Sequence, residues 1–171
     1  MNSYPEFPEQ VKSAFLSFGR KHDFDLKEIN YNWRVIFQNN TWKITFVCEF
    51  GVVDVTVTNL LDKTEIPLSS LMEFWFSDSE YYKDYGKHIY GDEKNINWII
   101  KVLDHHFIEF KIQYLDKIKE YVEFQNLESK LITYINTNGS ELLRGKFNNN
   151  SSDWKALAIN EMDKKLMATM K

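Results

Sequence analysis

Residues 31–58 read YNWRVIFQNNTWKITFVCEFGVVDVTVT, and three apolar runs in that stretch alternate with a period of two before long helical patterns take over. Trp33, Val35 and Phe37 fall on one face of a first strand, with Asn32, Arg34 and Gln38 on the other, and Ile36 interrupts the alternation. Asn39-Asn40 suits a two-residue turn, because asparagine tolerates the positive φ of tight hairpins. A second strand places Trp42, Ile44, Phe46, Cys48 and Phe50 on one face and Lys43, Thr45 and Glu49 on the other. After Gly51, Val53, Val55 and Val57 share the inward face, and Asp54, Thr56 and Thr58 the outward one. Alternation of β-branched and aromatic with polar residues predicts antiparallel strands with one buried and one wet face. The stretch reads as a three-stranded meander, with a short fourth strand near Lys63 to Ile66.

Helical patterns surround this sheet. Phe7, Val11, Phe15 and Phe18 recur at helical spacing from a start near Pro8, and Gly19 ends the run. Ser70 with Glu73 three residues later forms a capping box that opens a short helix over Leu71 to Phe76. Asp92 is a good N-cap for a long helix whose stripe runs Ile96, Ile99, Ile100, Leu103, Phe107, Phe110, Tyr114, Ile118 and Tyr121. Beyond Asn126, Leu127, Leu131, Ile132 and Ile135 predict a separate helix ending near Asn138-Gly139. Asn148-Asn149-Asn150-Ser151-Ser152 reads as a loop, and Asp153 caps a final helix carrying Trp154, Leu157, Ala158, Met162, Leu166 and Met167. The expected fold class is α+β: an antiparallel meander of three to four strands packed with an N-terminal helix and a long C-terminal helix, plus a helical tail. Residues 1–147 form a single domain in this reading, 148–152 a loop and 153–171 a C-terminal helix.

A chain of 171 residues is long enough to bury a sizeable core. Aromatic residues make up 16% of it, so phenylalanine and tyrosine supply much of that core. Cys48 is the single cysteine and shares a face with Trp42, Ile44, Phe46 and Phe50, which predicts a buried structural thiol and a reducing compartment. The N-terminus has no basic and apolar leader pattern and no stretch approaches a membrane span, so cytoplasmic residence is expected.

The net charge of −4 is unevenly spread. Residues 1–125 hold 20 acids against 14 lysines and arginines, whereas residues 126–171 hold seven bases against five acids. The segment from Glu73 to Glu93 sets Glu73, Asp78, Glu80, Asp84, Asp92 and Glu93 against Lys83 and Lys87, interleaved with Trp75, Phe76, Tyr81, Tyr82, Tyr85 and Tyr90. Tyrosine and tryptophan suit interface anchoring, since each offers a large rigid surface with a polar tip. Carboxylates beside them repel nucleic acid and attract a basic partner. The competing reading has the rings packed back on the sheet and the acids in water.

Signals for catalysis or metal are weak. His105 and Glu109 lie four apart on one helical face and His106 three before Glu109, spacings that supply two metal ligands where zinc needs more. His106 also falls beside the apolar stripe, which favours a structural role. Gly-x-Ser-x-Gly, P-loop and dinucleotide patterns are absent, and Cys48 has no electropositive neighbour in sequence. No basic and aromatic stripe provides a footprint for nucleic acid. The expectation is therefore a non-enzymatic chain with no cofactor, no metal and no nucleic-acid or membrane partner.

The order of an N-terminal helix, strands like Trp33-Arg34-Val35-Ile36-Phe37, Trp42-Lys43-Ile44-Thr45-Phe46 and Val53-Asp54-Val55-Thr56-Val57, then Leu68 to Phe76 and a long helix, resembles the small acidic immunity proteins encoded beside bacterial polymorphic toxins. The resemblance covers about residues 5–125, in pattern and composition. It implies a non-enzymatic role, binding a cognate toxin domain and blocking it. Under that reading Glu80, Tyr81, Tyr82, Asp84 and Tyr85 are the expected partner contacts. The alternatives are an adaptor or structural subunit that self-associates through its long helices, as a homodimer for example, and a small enzyme or metal-binding protein using carboxylates or His105, His106 and Glu109.

Overall fold

A computed structural model describes residues 5–30 and 33–138, and for residues 127, 128 and 130–138 the backbone alone. The chain divides into two compact units, Met1–Ile112 and Gln113–Lys171. The first holds α1 (Phe7–Lys21), β1 (Asp25–Asn30), β2 (Arg34–Gln38), β3 (Trp42–Glu49), β4 (Val52–Asn59), β5 (Glu65–Pro67), α2 (Leu68–Trp75) and α3 (Glu80–Asp84). α4 (Glu93–Asn138) starts in the first unit and runs on into the second. The expected boundaries at 147–153 and the final helix lie outside the described residues.

The fold is α+β, with an antiparallel sheet in the order β1-β2-β3-β4-β5. Five strands form where three to four are expected. The extra strand, β1, is an edge strand that is exposed for most of its length. Its two apolar residues, Leu26 and Ile29, are three apart and break the period of two. A bulge between Leu26 and Glu28 restores the register, so that Leu26 pairs with Phe37 and Ile29 with Val35, residues of one face. Charged residues and a bulge are also what blunts an edge against unwanted pairing.

On the central strands the alternation is as expected. Val35, Phe37, Trp42, Ile44, Phe46, Cys48, Val53, Val55, Val57 and Ile66 are all buried, and the register sets them side by side on one face. Phe15 of α1 stacks on Phe37 at 3.9 Å between ring centroids and meets Phe46 edge-on at 5.8 Å. From α4, Phe107 and Phe110 approach Trp42 at 6.0 and 5.3 Å, and Trp75 of α2 meets Phe110 at 5.3 Å. Aromatic rings thus join one sheet face to three helices. Burial pushes the Cys48 thiol above its ordinary pKa, as expected of a structural cysteine. The opposite face is wet only in part, since the register partners Ile36 and Thr45 are buried.

Local signals were overridden in five places. α1 continues two residues past Gly19, whose carbonyl accepts the Phe24 N–H at 2.9 Å as the chain leaves the helix. α2 starts at Leu68 behind Pro67 without a side-chain cap, so Ser70 lies inside the helix and makes no capping box. α4 runs without a break through Asn126 to Asn138. Among residues with positive φ, neither Asn39 nor Asn40 occurs. That turn is held instead by the Asn39 side-chain oxygen, which accepts the N–H groups of Thr41 and Trp42 at 2.9 and 2.8 Å.

Phe50, expected on the buried face, is 99% exposed. Glu49 pairs with Val52, so Phe50 and Gly51 are the two central residues of the hairpin, with φ of 50° and 83°. Two positive φ values suit a two-residue hairpin, and phenylalanine is a poor choice for the first of them.

Two stability predictions follow from this packing. Phe50→Asn is expected to raise the urea midpoint at unchanged slope, by a stabilisation of about 1 kcal/mol, because asparagine accepts the left-handed conformation more cheaply. Phe15→Ala, which empties the contact with Phe37 and Phe46, is expected to cost about 3–5 kcal/mol in the same measurement.

Candidate functional site

α3 begins where Ser79 adopts extended backbone and its hydroxyl oxygen accepts the Tyr81 N–H at 3.2 Å. The same Oγ lies 2.9 Å from His106 Nε2 on α4. That contact ties the start of the short helix to the long one. His106 is 6% exposed and stacks on Phe76, with ring centroids 4.1 Å apart. Burial, and next the adjacent His105, push its pKa down to about 4, so the imidazole is neutral at physiological pH. Its Nδ1 is buried and has no hydrogen-bond partner among the described residues.

At the N-terminus of α4, Asp92 accepts the Asn95 N–H at 3.0 Å with one carboxylate oxygen and the Asn95 side-chain amide with the other. The expected N-cap is in place. Asn95 Oδ1 in turn receives His88 Nδ1–H at 2.9 Å, and the His88 ring stacks on Trp98 at 4.3 Å. One side of the indole is therefore held by a chain of polar contacts that starts at the helix cap.

Between these two fixtures lies a cavity of about 580 Å³, lined by Ser79, Glu80, Tyr81, Asp84, Trp98, His105 and His106. Tyr81 meets Trp98 at 6.0 Å, His105 at 5.1 Å and His106 at 5.7 Å between centroids. Asp84 is paired with Lys87, whose ammonium holds the carboxyl below its ordinary pKa. Glu80 is exposed and has no ion-pair partner among the described residues.

Three of the five expected contact residues, Glu80, Tyr81 and Asp84, thus line one cavity. Tyr82 and Tyr85 are half-buried and do not line it. Tyr85 meets Trp98 at 6.0 Å, and burial, then the Asp54 carboxylate, push its phenol well above the ordinary value. His105 and His106, read from sequence as a structural or exposed pair and only weakly as metal ligands, stand beside the acidic segment. Among the described residues no group of three or more His, Cys, Asp or Glu side chains could hold a metal ion. Trp98 and Ser79 were not singled out from sequence. Trp98 lies seven residues before His105, two helical turns along the same face, and a helical projection of α4 would have paired them.

The Ser79 and His106 contact has the atoms of half a nucleophilic pair, and its surroundings suit a structural one. The Ser79 oxygen is engaged by a backbone N–H, and an imidazole so far below neutrality is a poor base. The pair fixes where α3 begins.

Comparison with protein-family models, with curated proteins and with solved structures finds no match to this chain. No helix among the described residues is long and apolar enough to cross a membrane.

The buried imidazoles predict an acid-sensitive fold. His22 is also held below its ordinary pKa, by burial first and then by Lys111. Between about pH 6.5 and 4 the unfolded chain binds protons that folded His106 does not, so acidification favours unfolding. Stability is expected to fall across that window by up to about 3 kcal/mol on account of His106. Urea unfolding at several pH values should show this slope in the wild type and a shallower one in His106→Phe, with His22 supplying the remainder.

Proposed function

We propose that this chain is a non-enzymatic protein-binding domain whose contact surface is the acidic, aromatic face built on α3 and the adjoining turns of α4, and that its partner is a basic protein. Neutralisation of a cognate bacterial toxin domain is the form of this reading that the sequence resemblance implies. The observation that carries it is the convergence of Glu80, Tyr81 and Asp84 with Trp98 around one open cavity. Rings of this kind bury a large area on contact at little entropic cost, while a surface of excess negative charge steers a cationic partner inward.

A second reading, self-association through α4, is favoured by Ile108, Ile112 and Leu115. They are exposed and follow one another at intervals of four and three residues. Sedimentation at micromolar concentration separates the two, since a monomer counts against self-association.

The test of the first reading has two parts. The chain is used as bait in a lysate of its source, and the protein bound in equal amount is purified and titrated against wild type, Glu80→Gln and Tyr81→Ala, with circular dichroism as the control for folding. Tyr81→Ala is expected to weaken binding about thirtyfold and Glu80→Gln about tenfold. The captured protein is then expressed in cells with and without this chain, and growth is expected only when both are present. Affinity unchanged by both substitutions would remove the α3 face as the contact surface, and a partner harmless on its own would remove the toxin reading.

A further inference from the structure

The cavity beside α3 has a composition that selects its occupant. Its aromatic walls are Trp98 and Tyr81, and its acids are Glu80 and Asp84. A carboxylate pair disfavours phosphate and carboxylate ligands. Lys87 already occupies Asp84, which leaves Glu80 as the open anionic group. The lining also includes His106, a side chain more than nine-tenths buried whose Nδ1 has no hydrogen-bond partner among the described residues.

This lining suits a cation, and the cation's shape can be narrowed. With too few convergent donors for a metal among the described residues, the attraction must come from ring faces and one carboxylate. A planar guanidinium satisfies both, because it stacks on indole and phenol rings and offers paired N–H donors to a carboxylate. A lysine ammonium is a compact, strongly hydrated charge that makes neither contact as well. Trp98 is preset for this task, since His88 stacks against it and is itself held by Asn95 and Asp92. Little ordering is left to occur on binding.

We propose that this cavity is an arginine receptor, in which a guanidinium presented by the partner protein lies against Trp98 and Tyr81 and pairs with Glu80. The inference rests on the reading of this face as the partner surface and names the side chain that the face accepts.

The experiment titrates the full chain with acetyl-Gly-Arg-Gly-amide and follows the Trp98 indole N–H resonance, identified by its loss in Trp98→Phe. A saturable shift is expected with the arginine peptide, one at least several-fold weaker with the lysine counterpart, and none with the uncharged citrulline counterpart. Glu80→Gln should weaken arginine binding about tenfold, and Asp84→Asn, whose carboxylate is already paired, should weaken it less. No shift at Trp98, an equal shift with citrulline, or undiminished binding in Glu80→Gln would overturn the receptor. The two readings fail separately. A partner weakened by Tyr81→Ala together with an inert peptide keeps the face and removes the guanidinium. A peptide that binds through Glu80, with a partner indifferent to Glu80 and Tyr81, keeps the receptor and removes the partner surface.

Discussion

Phe15 against Phe37 and Phe46 is the contact on which the first unit depends. A meander of five strands presents one apolar face, and such a face is stable only when covered. α1 covers β2 and β3 through Phe15, and Phe18 continues the cover to Phe107 of α4 at 5.3 Å. Rings fill space with few rotatable bonds, so this packing fixes the angle of approach of each helix as well as its burial. Lys21 and Asp104, 2.7 Å apart, add an exposed ion pair between the same two helices, of the kind that contributes little to stability.

The cavity is a consequence of that arrangement. Once the stripe of α4 from Ile96 to Phe110 is committed to the core, Trp98 and His105 lie off the stripe, while His106 sits at its border under Phe76. The chain between α2 and α4 then has to cross this border, and it does so as the short α3. A five-residue helix has little stability of its own. The Ser79 hydroxyl holds its first turn and His106 holds Ser79, so the position of Glu80, Tyr81 and Asp84 is inherited from α4.

Much of the sheet was legible because its central strands carry, from Val35 to Val57, a period of two on the inward face that Ile36 and the hairpin at Phe50 interrupt but do not erase. The long helix was legible from its stripe and from Asp92. β1 was hidden by its bulge, which put Leu26 and Ile29 at a spacing of three, and by exposure that removed the need for apolar alternation. Ser70 satisfied a capping rule yet lies inside α2, because Pro67 sets the entry to the helix and Leu68, Leu71 and Met72 are drawn into the core. Phe50 satisfied the alternation yet stands outside it, because the hairpin turns at that residue and alternation says nothing about where a strand stops.

By itself the sequence determined the α+β class, the inward face of the central strands, the helical stripes and the acidic, tyrosine-rich segment, since each is a local pattern of hydrophobicity or charge along the chain. Which of those tyrosines would meet, and with what, was decided only by the tertiary structure. Tyr81 was brought to Trp98, His105 and His106, and Tyr85 to Trp98, by the path of a connection whose ends are set by the packing of α2 and α4. Contacts between residues 13 to 25 positions apart depend on where the rings of the core place two helices, and no local pattern encodes that placement.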